Sequence, residues 1–149
     1  MFREVRLAAL QEAPYAFGST YERERGAEER NWRERLGNRA QMVAEVGGEV
    51  AGTAAGIASD GDPAGGRTAA LISMWVAPYA RGLGVGARLV NAVVDWAKSE
   101  GYDSVFLWVT EGNEVAERLY ERCGFLRTGQ QQPVHPAEPR LEYEMWKRI

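Results

Sequence analysis

Two hydrophobic periods alternate along this chain, and the local period predicts the element. From Gly86 to Gly101, Leu89, Val90, Val93, Val94, Trp96 and Ala97 recur on one face of a 3.6-residue helix. Arg88, Asn91, Asp95 and Lys98 take the other face, and Gly101 suits the position just past its end. "NEVAERLYERCG" predicts another helix, with Asn113 as N-cap, Glu114 and Glu117 at its positive end and Gly124 closing it. Short apolar runs predict strands. "QMVAEV" and "EVAGTAAGIA", parted by Gly47-Gly48, read as a β-hairpin. "AALISMWV", ended by Pro78, and "SVFLWVT" are almost wholly apolar, so both are expected to be covered on two faces. "FLRTG" and "LEYEMWKR" predict two final strands around a proline-bearing loop, Gln130–Pro139. At the other end, Val5 and Leu7–Leu10 suit a short helix that stops before Pro14. "APYAFGSTYERE" then opens a second helix, capped by Ser19 or Thr20, with Trp32 and Leu36 as its apolar edge.

The resulting order, α, α, β, β, β, α, β, α, β, β, predicts an α/β domain: a mixed sheet with helices on its faces, over residues 1–149. Composition narrows the function. The net charge of −3 and the interspersed basic residues offer no general attraction for nucleic acid or anionic membranes. No apolar run approaches the roughly 20 residues that span a bilayer. The one cysteine, Cys123, excludes an intrachain disulfide and, with a charged N-terminal stretch, leads to the expectation of a cytoplasmic protein. The one histidine, His135, excludes a histidine metal cluster, and no metal is expected.

The chemistry concentrates in "YARGLGVGARL", Tyr79 to Leu89, where three alternating glycines lie between a strand and a helix. Such a turn brings backbone N–H groups close to an anion. A nucleoside-triphosphate loop needs Lys and then Ser or Thr after its last glycine, but Ala87 and Arg88 follow Gly86. Gly82 to Ala87 does fit the dinucleotide fingerprint G-x-G-x-x-A, and Glu111 ends the next strand where a ribose contact is sought. That fold, however, needs several further parallel strands, and the rest of the chain finishes in an antiparallel-looking pair.

A third reading uses Arg81-x-x-Gly84-x-Gly86. Here the chain resembles the GNAT superfamily of acetyltransferases, whose signature Q/R-x-x-G-x-G/A lies between the fourth strand and the third helix. "NEVAERLYERCGF" is similar to the family's second block, N-x-x-A-x-x-L-Y-x-x-x-G-F. The resemblance implies a mostly antiparallel mixed sheet whose fourth and fifth strands splay apart. It implies an acetyl-CoA-dependent N-acetyltransferase that moves the acetyl group directly to a primary amine of a small molecule or peptide. Backbone N–H groups of Arg81, Gly82, Leu83, Gly84, Val85, Gly86 and Ala87 would hold the pyrophosphate, with Arg81 adding charge or bracing the loop. Trp75, Val76 and Ala77 would pair with the pantetheine arm, Val76 N–H also serving an oxyanion. Asn113 and Ala116 would meet the arm, and Tyr120 would bind near the sulfur and protonate it as it leaves. Phe17, Thr20 and Tyr21 take acceptor-pocket positions, and the His135 loop overhangs the acceptor.

Two departures from the family stand out. Relatives carry a strand before the first helix, whereas this chain begins inside "MFREVRLAAL". Six strands are therefore expected rather than seven, with the edge of Gln41–Val46 unpaired or covered by a homodimer contact. In addition, the fourth strand holds no acid to deprotonate the amine. Ser73 is its only hydroxyl, and Glu45, Glu111, Glu142 and His135 are candidates elsewhere. That gap supports an alternative reading, an acyl-CoA-binding regulatory module with little turnover. Cys123 is expected in the core.

Overall fold

The computed structural model describes residues 2–17, 19–26, 37, 39–59 and 66–149. Trp32 and Leu36 lie outside the described residues. Helix α1 spans Phe2–Glu12 and passes through a short 3-10 turn, Pro14–Ala16, into helix α2, Tyr21–Glu24. Thr20 caps α2, its Oγ1 accepting from Arg23 N at 3.2 Å. Then come β1 (Ala40–Val46), β2 (Glu49–Ala58) and β3 (Thr68–Val76). A 3-10 turn, Pro78–Ala80, leads to α3 (Val85–Ser99), β4 (Ser104–Thr110), α4 (Glu114–Arg122), β5 (Leu126–His135) and β6 (Glu138–Arg148).

The described strands form one six-stranded sheet in the order β1-β2-β3-β4-β6-β5. All neighbours are antiparallel except β3 and β4. The β1–β2 hairpin closes at Gly47-Gly48, both at positive φ. β1 pairs only with β2, so its outer side is a sheet edge with Val43 and Val46 exposed. Helix α3 lays Leu89, Val90, Val93, Val94 and Ala97 on the sheet, where they bury Ala51, Ala54, Leu71, Val105 and Leu107. Trp96 only half-buries and stacks tilted against Tyr102. A smaller cluster of Ala9, Leu10, Ala13 and Phe17 holds α1 against the Trp75 ring.

The decisive feature is how little β3 and β4 share. They pair at Thr68↔Ser104, Ala69↔Val105 and Ala70↔Phe106, and nowhere beyond. Past Ala70 the two strands diverge and leave their facing edges open. A bulge drives β3 away: Thr53 and Ala55 on β2 face Trp75 and Ile72, so Ser73 and Met74 oppose one residue. Ser73 sits at φ 57°, a conformation costing a β-carbon residue roughly 1 kcal/mol. Arg39 Nη1 reaches its Oγ at 3.4 Å.

Three sequence expectations are corrected here. β3 is covered on both faces only through Leu71, and Ile72–Val76 are half-buried because the splay opens a cavity beside them. Gln130–Pro139 is mostly strand, with the turn confined to Pro136–Ala137. Pro133 is tolerated because β5 is the outermost strand and its free edge needs no donor. Cys123 is half-buried against the core at the end of α4, not enclosed within it.

Candidate active site

The gap between β3 and β4 continues into a cavity of about 790 Å³, within the range of small-molecule sites. β3, the loop before α3, the end of β4 and the exposed side of α4 wall it. Trp75, Val76, Arg81, Gly82, Gly84, Val85, Gly86, Ala87, Asn113, Ala116 and Tyr120, all singled out from the sequence, line it. Ala77 does not: its N–H donates to Ala51 O at 2.7 Å and its carbonyl accepts from Ala80 N at 2.9 Å. Leu83 turns its side chain to solvent, 64% exposed.

The loop before α3 is a row of unused donors. Arg81 N donates to Pro78 O, and the next backbone donor engaged is Arg88 N, to Gly84 O at 3.2 Å. Between them the N–H groups of residues 82–87 make no hydrogen bond among the described residues. Unpaired donors at a helix N-terminus carry partial positive charge. Gly84 caps α3 in the left-handed conformation at φ 80°, with Gly82 at 81°. A Cβ at either would meet nothing within 4 Å, so their faces are open. Gly86 serves a different end. A Cβ there would stand 2.8 Å from Leu119 Cδ2, so its missing side chain lets α3 pack against α4.

Arg81 braces this loop. Its Nε donates to Val76 O at 3.1 Å, and its Nη2 meets Glu12 Oε2 at 2.6 Å. The Trp75 Nε1 donates to the same Glu12 oxygen at 2.9 Å. Burial works to raise the Glu12 carboxyl, but the hydrogen bonds from Trp75 and Arg81, with the Arg81 charge, outweigh it and hold it below the ordinary glutamate range. Glu12 thus ties α1, β3 and the loop into one unit. It was not foreseen, because 69 residues separate it from Arg81 and its own helix has no motif.

Asn113 caps α4, its Oδ1 accepting from Ala116 N at 3.4 Å. Tyr120 is buried, edge-on to Phe125 with centroids 6.2 Å apart. Burial, and secondarily Cys123, push its phenol well above the ordinary tyrosine value. Its hydroxyl has no hydrogen-bond partner among the described residues, so it keeps its proton at the cavity wall at physiological pH. Burial also raises the Cys123 thiol, against the opposing charges of Lys147 and Arg122. That thiol lies outside the cavity lining and is a poor nucleophile.

A second cavity, about 530 Å³, adjoins the first at the Pro14–Ala16 turn, and Tyr15 and Phe17 line both. Thr20 and His135 line the second cavity, whereas Tyr21 lines neither and packs on the small cluster beside Trp75. Phe17 is held from behind by Arg6, 4.8 Å over its ring and paired with Glu24 at 3.1 Å. Among the candidate bases, Glu45 is exposed on the sheet edge, Glu111 accepts from Leu141 N, and Glu142 accepts from Gln132. None of these three lines either cavity. Among the described residues the only carboxylate on the first cavity's wall is Glu114, exposed and paired with Arg118.

Known proteins share the fold, and others share part of the sequence. A ribosomal-protein-alanine N-acetyltransferase from Brucella melitensis superposes with a TM-score of 0.77 at 22% identity, covering 99% of this chain and 94% of its own. A Bacillus subtilis acetyltransferase in complex with CoA gives 0.65 at 17% identity, covering 82% and 84%. In sequence, N-acetyltransferase 8 of Rattus norvegicus is 33% identical over 88 residues, 59% of this chain and 40% of the relative. The chain spans about two-fifths of the length of the first such relatives it matches. The sequence model of the Acetyltransferase (GNAT) family matches residues 5–125. On these grounds, with the splayed strands and the glycine loop between them, the chain belongs to the Acetyltransferase (GNAT) family.

Proposed function

We propose that this protein transfers an acetyl group from acetyl-CoA to a primary amine of a small molecule or peptide. The observation that carries the reading is the run of unengaged N–H groups at residues 82–87, all of which except Leu83 belong to residues lining the cavity between β3 and β4. A diphosphate fits there: unpaired donors lie at a helix N-terminus, and the faces of Gly82 and Gly84 are open. Acetyl-CoA supplies the activated acyl group. The 82–87 loop binds its phosphates, and the open edge of β3 at Trp75 and Val76 aligns its amide arm. Asn113 and Ala116 flank that arm. Arg81 is a positioning residue, because its guanidinium is already engaged by Val76 O and Glu12. As the nitrogen–carbon bond forms and the carbon–sulfur bond breaks, Tyr120, kept neutral by burial, gives its hydroxyl proton to the departing sulfur and is restored by the proton the acylated nitrogen sheds.

The amine enters from the second cavity, past Tyr15 and Phe17, with Thr20 on its wall. Among the described residues the carboxylates on the two cavity walls, Glu114 and Glu138, are paired with Arg118 and Arg140, so the amine arrives deprotonated or loses its proton to water. The transfer is direct, since the one cysteine is outside the cavity. We place the protein in the cytoplasm, with residues 1–149 forming one domain and the outer edge of β1 as the contact of a homodimer. No described helix is long and apolar enough to cross a membrane.

Thiol release from acetyl-CoA, measured with a panel of α-amines, ε-amines and aromatic amines, tests the transfer, and calorimetry tests cofactor binding. Expected are saturable acetyl-CoA binding and amine-dependent release. Binding with no release above background for the whole panel would refute the transferase reading.

A further inference from the structure

The second cavity has a charge pattern that the transfer step does not need. Arg23, His135, Glu138 and Arg140 stand on its wall with the aromatic faces of Tyr15 and Phe17. Glu138 forms a direct ion pair with Arg140 and also lies within reach of the charges of His135 and Arg23, and Arg140 Nη1 donates to Tyr15 O at 3.0 Å. Arg23 has no ion pair among the described residues. Its Nη2 lies 3.3 Å from His135 Nε2. The other ring nitrogen, Nδ1, receives the Ala137 N–H at 3.1 Å.

Those two contacts conflict. A neutral imidazole carries one N–H and one acceptor nitrogen, so it accepts from one donor. With Nδ1 accepting from Ala137, the ring proton is on Nε2 and points at the Arg23 guanidinium. Donor then faces donor, beside a cavity whose described lining carries two arginines against one glutamate. Protonating the ring makes the repulsion worse. One oxygen anion between the two groups satisfies both, accepting from Nε2–H and from Arg23 in the charge-assisted geometry guanidinium favours.

We propose that this cavity binds a carboxylate of the acceptor, so that the substrate is an amine carrying both a carboxylate and an apolar group, of the amino-acid type. The proposal rests on the transferase reading for the amine's destination. The carboxylate lies between Arg23 and His135, the apolar group lies on Tyr15 and Phe17, and the amine faces the first cavity. Polyamines are disfavoured, because they bring positive charge to a positive wall.

The test compares phenylalanine, its carboxamide and phenethylamine as acceptors with the whole chain, rates being referred to the deprotonated amine. Wild type is expected to prefer the acid over the amide by roughly ten- to hundredfold in kcat/KM, the range of one charge-assisted hydrogen bond. In Arg23→Gln that ratio falls toward one, through KM for the acid, and Arg23→Lys keeps part of it. A second readout needs no turnover: calorimetric binding of N-acetylphenylalanine and its amide to the CoA-saturated protein. The acid is expected to bind more tightly in wild type, and equally with the amide in Arg23→Gln. Equal binding in wild type, or no binding of either, overturns the carboxylate site. Acid-selective binding without thiol release from any acceptor instead supports the carboxylate site and refutes the transferase reading.

Discussion

The two cavities meet at Tyr15 and Phe17, yet they are built from different material. The first is made of backbone: N–H groups at 82–87 and an unpaired strand edge at Ile72–Val76. The second is made of side chains brought from the α1–α2 region and the β5–β6 turn, more than a hundred residues apart. A backbone site suits a ligand that stays constant, since it depends on turn geometry rather than on particular side chains. A side-chain site is free to change with the acceptor while the cofactor scaffold stays put. The comparison also explains why Arg81 and Arg23 differ, although both are exposed arginines. Arg81 is committed to Val76 O and Glu12, whereas Arg23 faces a cavity without an ion pair among the described residues.

The sharpest way to break this division is Gly84→Glu. It forces a side chain into φ 80° and puts a negative charge among the loop donors. Acetyl-CoA affinity by calorimetry is expected to fall roughly a hundredfold or more. Unchanged affinity would remove the phosphate assignment. Tyr120→Phe comes next. It keeps the ring against Phe125 and deletes one hydroxyl, so kcat should drop about a hundredfold with acetyl-CoA affinity little changed. The wild-type protein should show kcat/KM rising with pH through the acceptor's own pKa. Because burial pushes the phenol upward, no fall is expected before pH exceeds the ordinary tyrosine value of 10.0. A wild-type plateau well below the amine's pKa would reveal a base that the cavity wall does not show.

Glu12→Gln has the smallest expected effect and asks whether α1 steadies the cofactor loop. It weakens a pair that is largely exposed on the Arg81 side, so thermal denaturation should register about 1 kcal/mol or less. Acetyl-CoA affinity should decline several-fold as Arg81 and Trp75 loosen. The folded-state carboxyl of Glu12 sits below its unfolded value, so its contribution is present above the ordinary glutamate range and disappears as pH falls through it. Glu12→Gln should therefore flatten the acid side of the wild-type stability profile. An equally steep acid limb in the variant would show that Glu12 is not a brace.

Much of the first cavity was legible because its requirements are local. Arg81 to Ala87, with α3 behind them, need a particular turn, and that turn needs glycines at Gly82 and Gly84. Gly86 was legible as a required glycine but not for its reason, since Leu119 belongs to another helix. Ala77 and Leu83 follow the motif in sequence but not into the cavity, because Ala77 is engaged by β2 and Leu83 points outward. Phe17 and Thr20 reach the second cavity, while Tyr21, on the next helical position, rotates away to pack. Glu12, Arg23 and Arg140 carried no sequence signal, since each acts through partners remote in the chain.

Periodicity and glycine spacing by themselves determined the order of elements, the turn that opens α3 and the family, because these depend on residues within a few positions of one another. Only the tertiary structure decided that β3 and β4 part after three residue pairs, that Glu12 braces the loop, and that Arg23 and His135 face each other as donors. Those features arise from a bulge, an ion pair and a sheet register, and each depends on where distant parts of the chain come to rest.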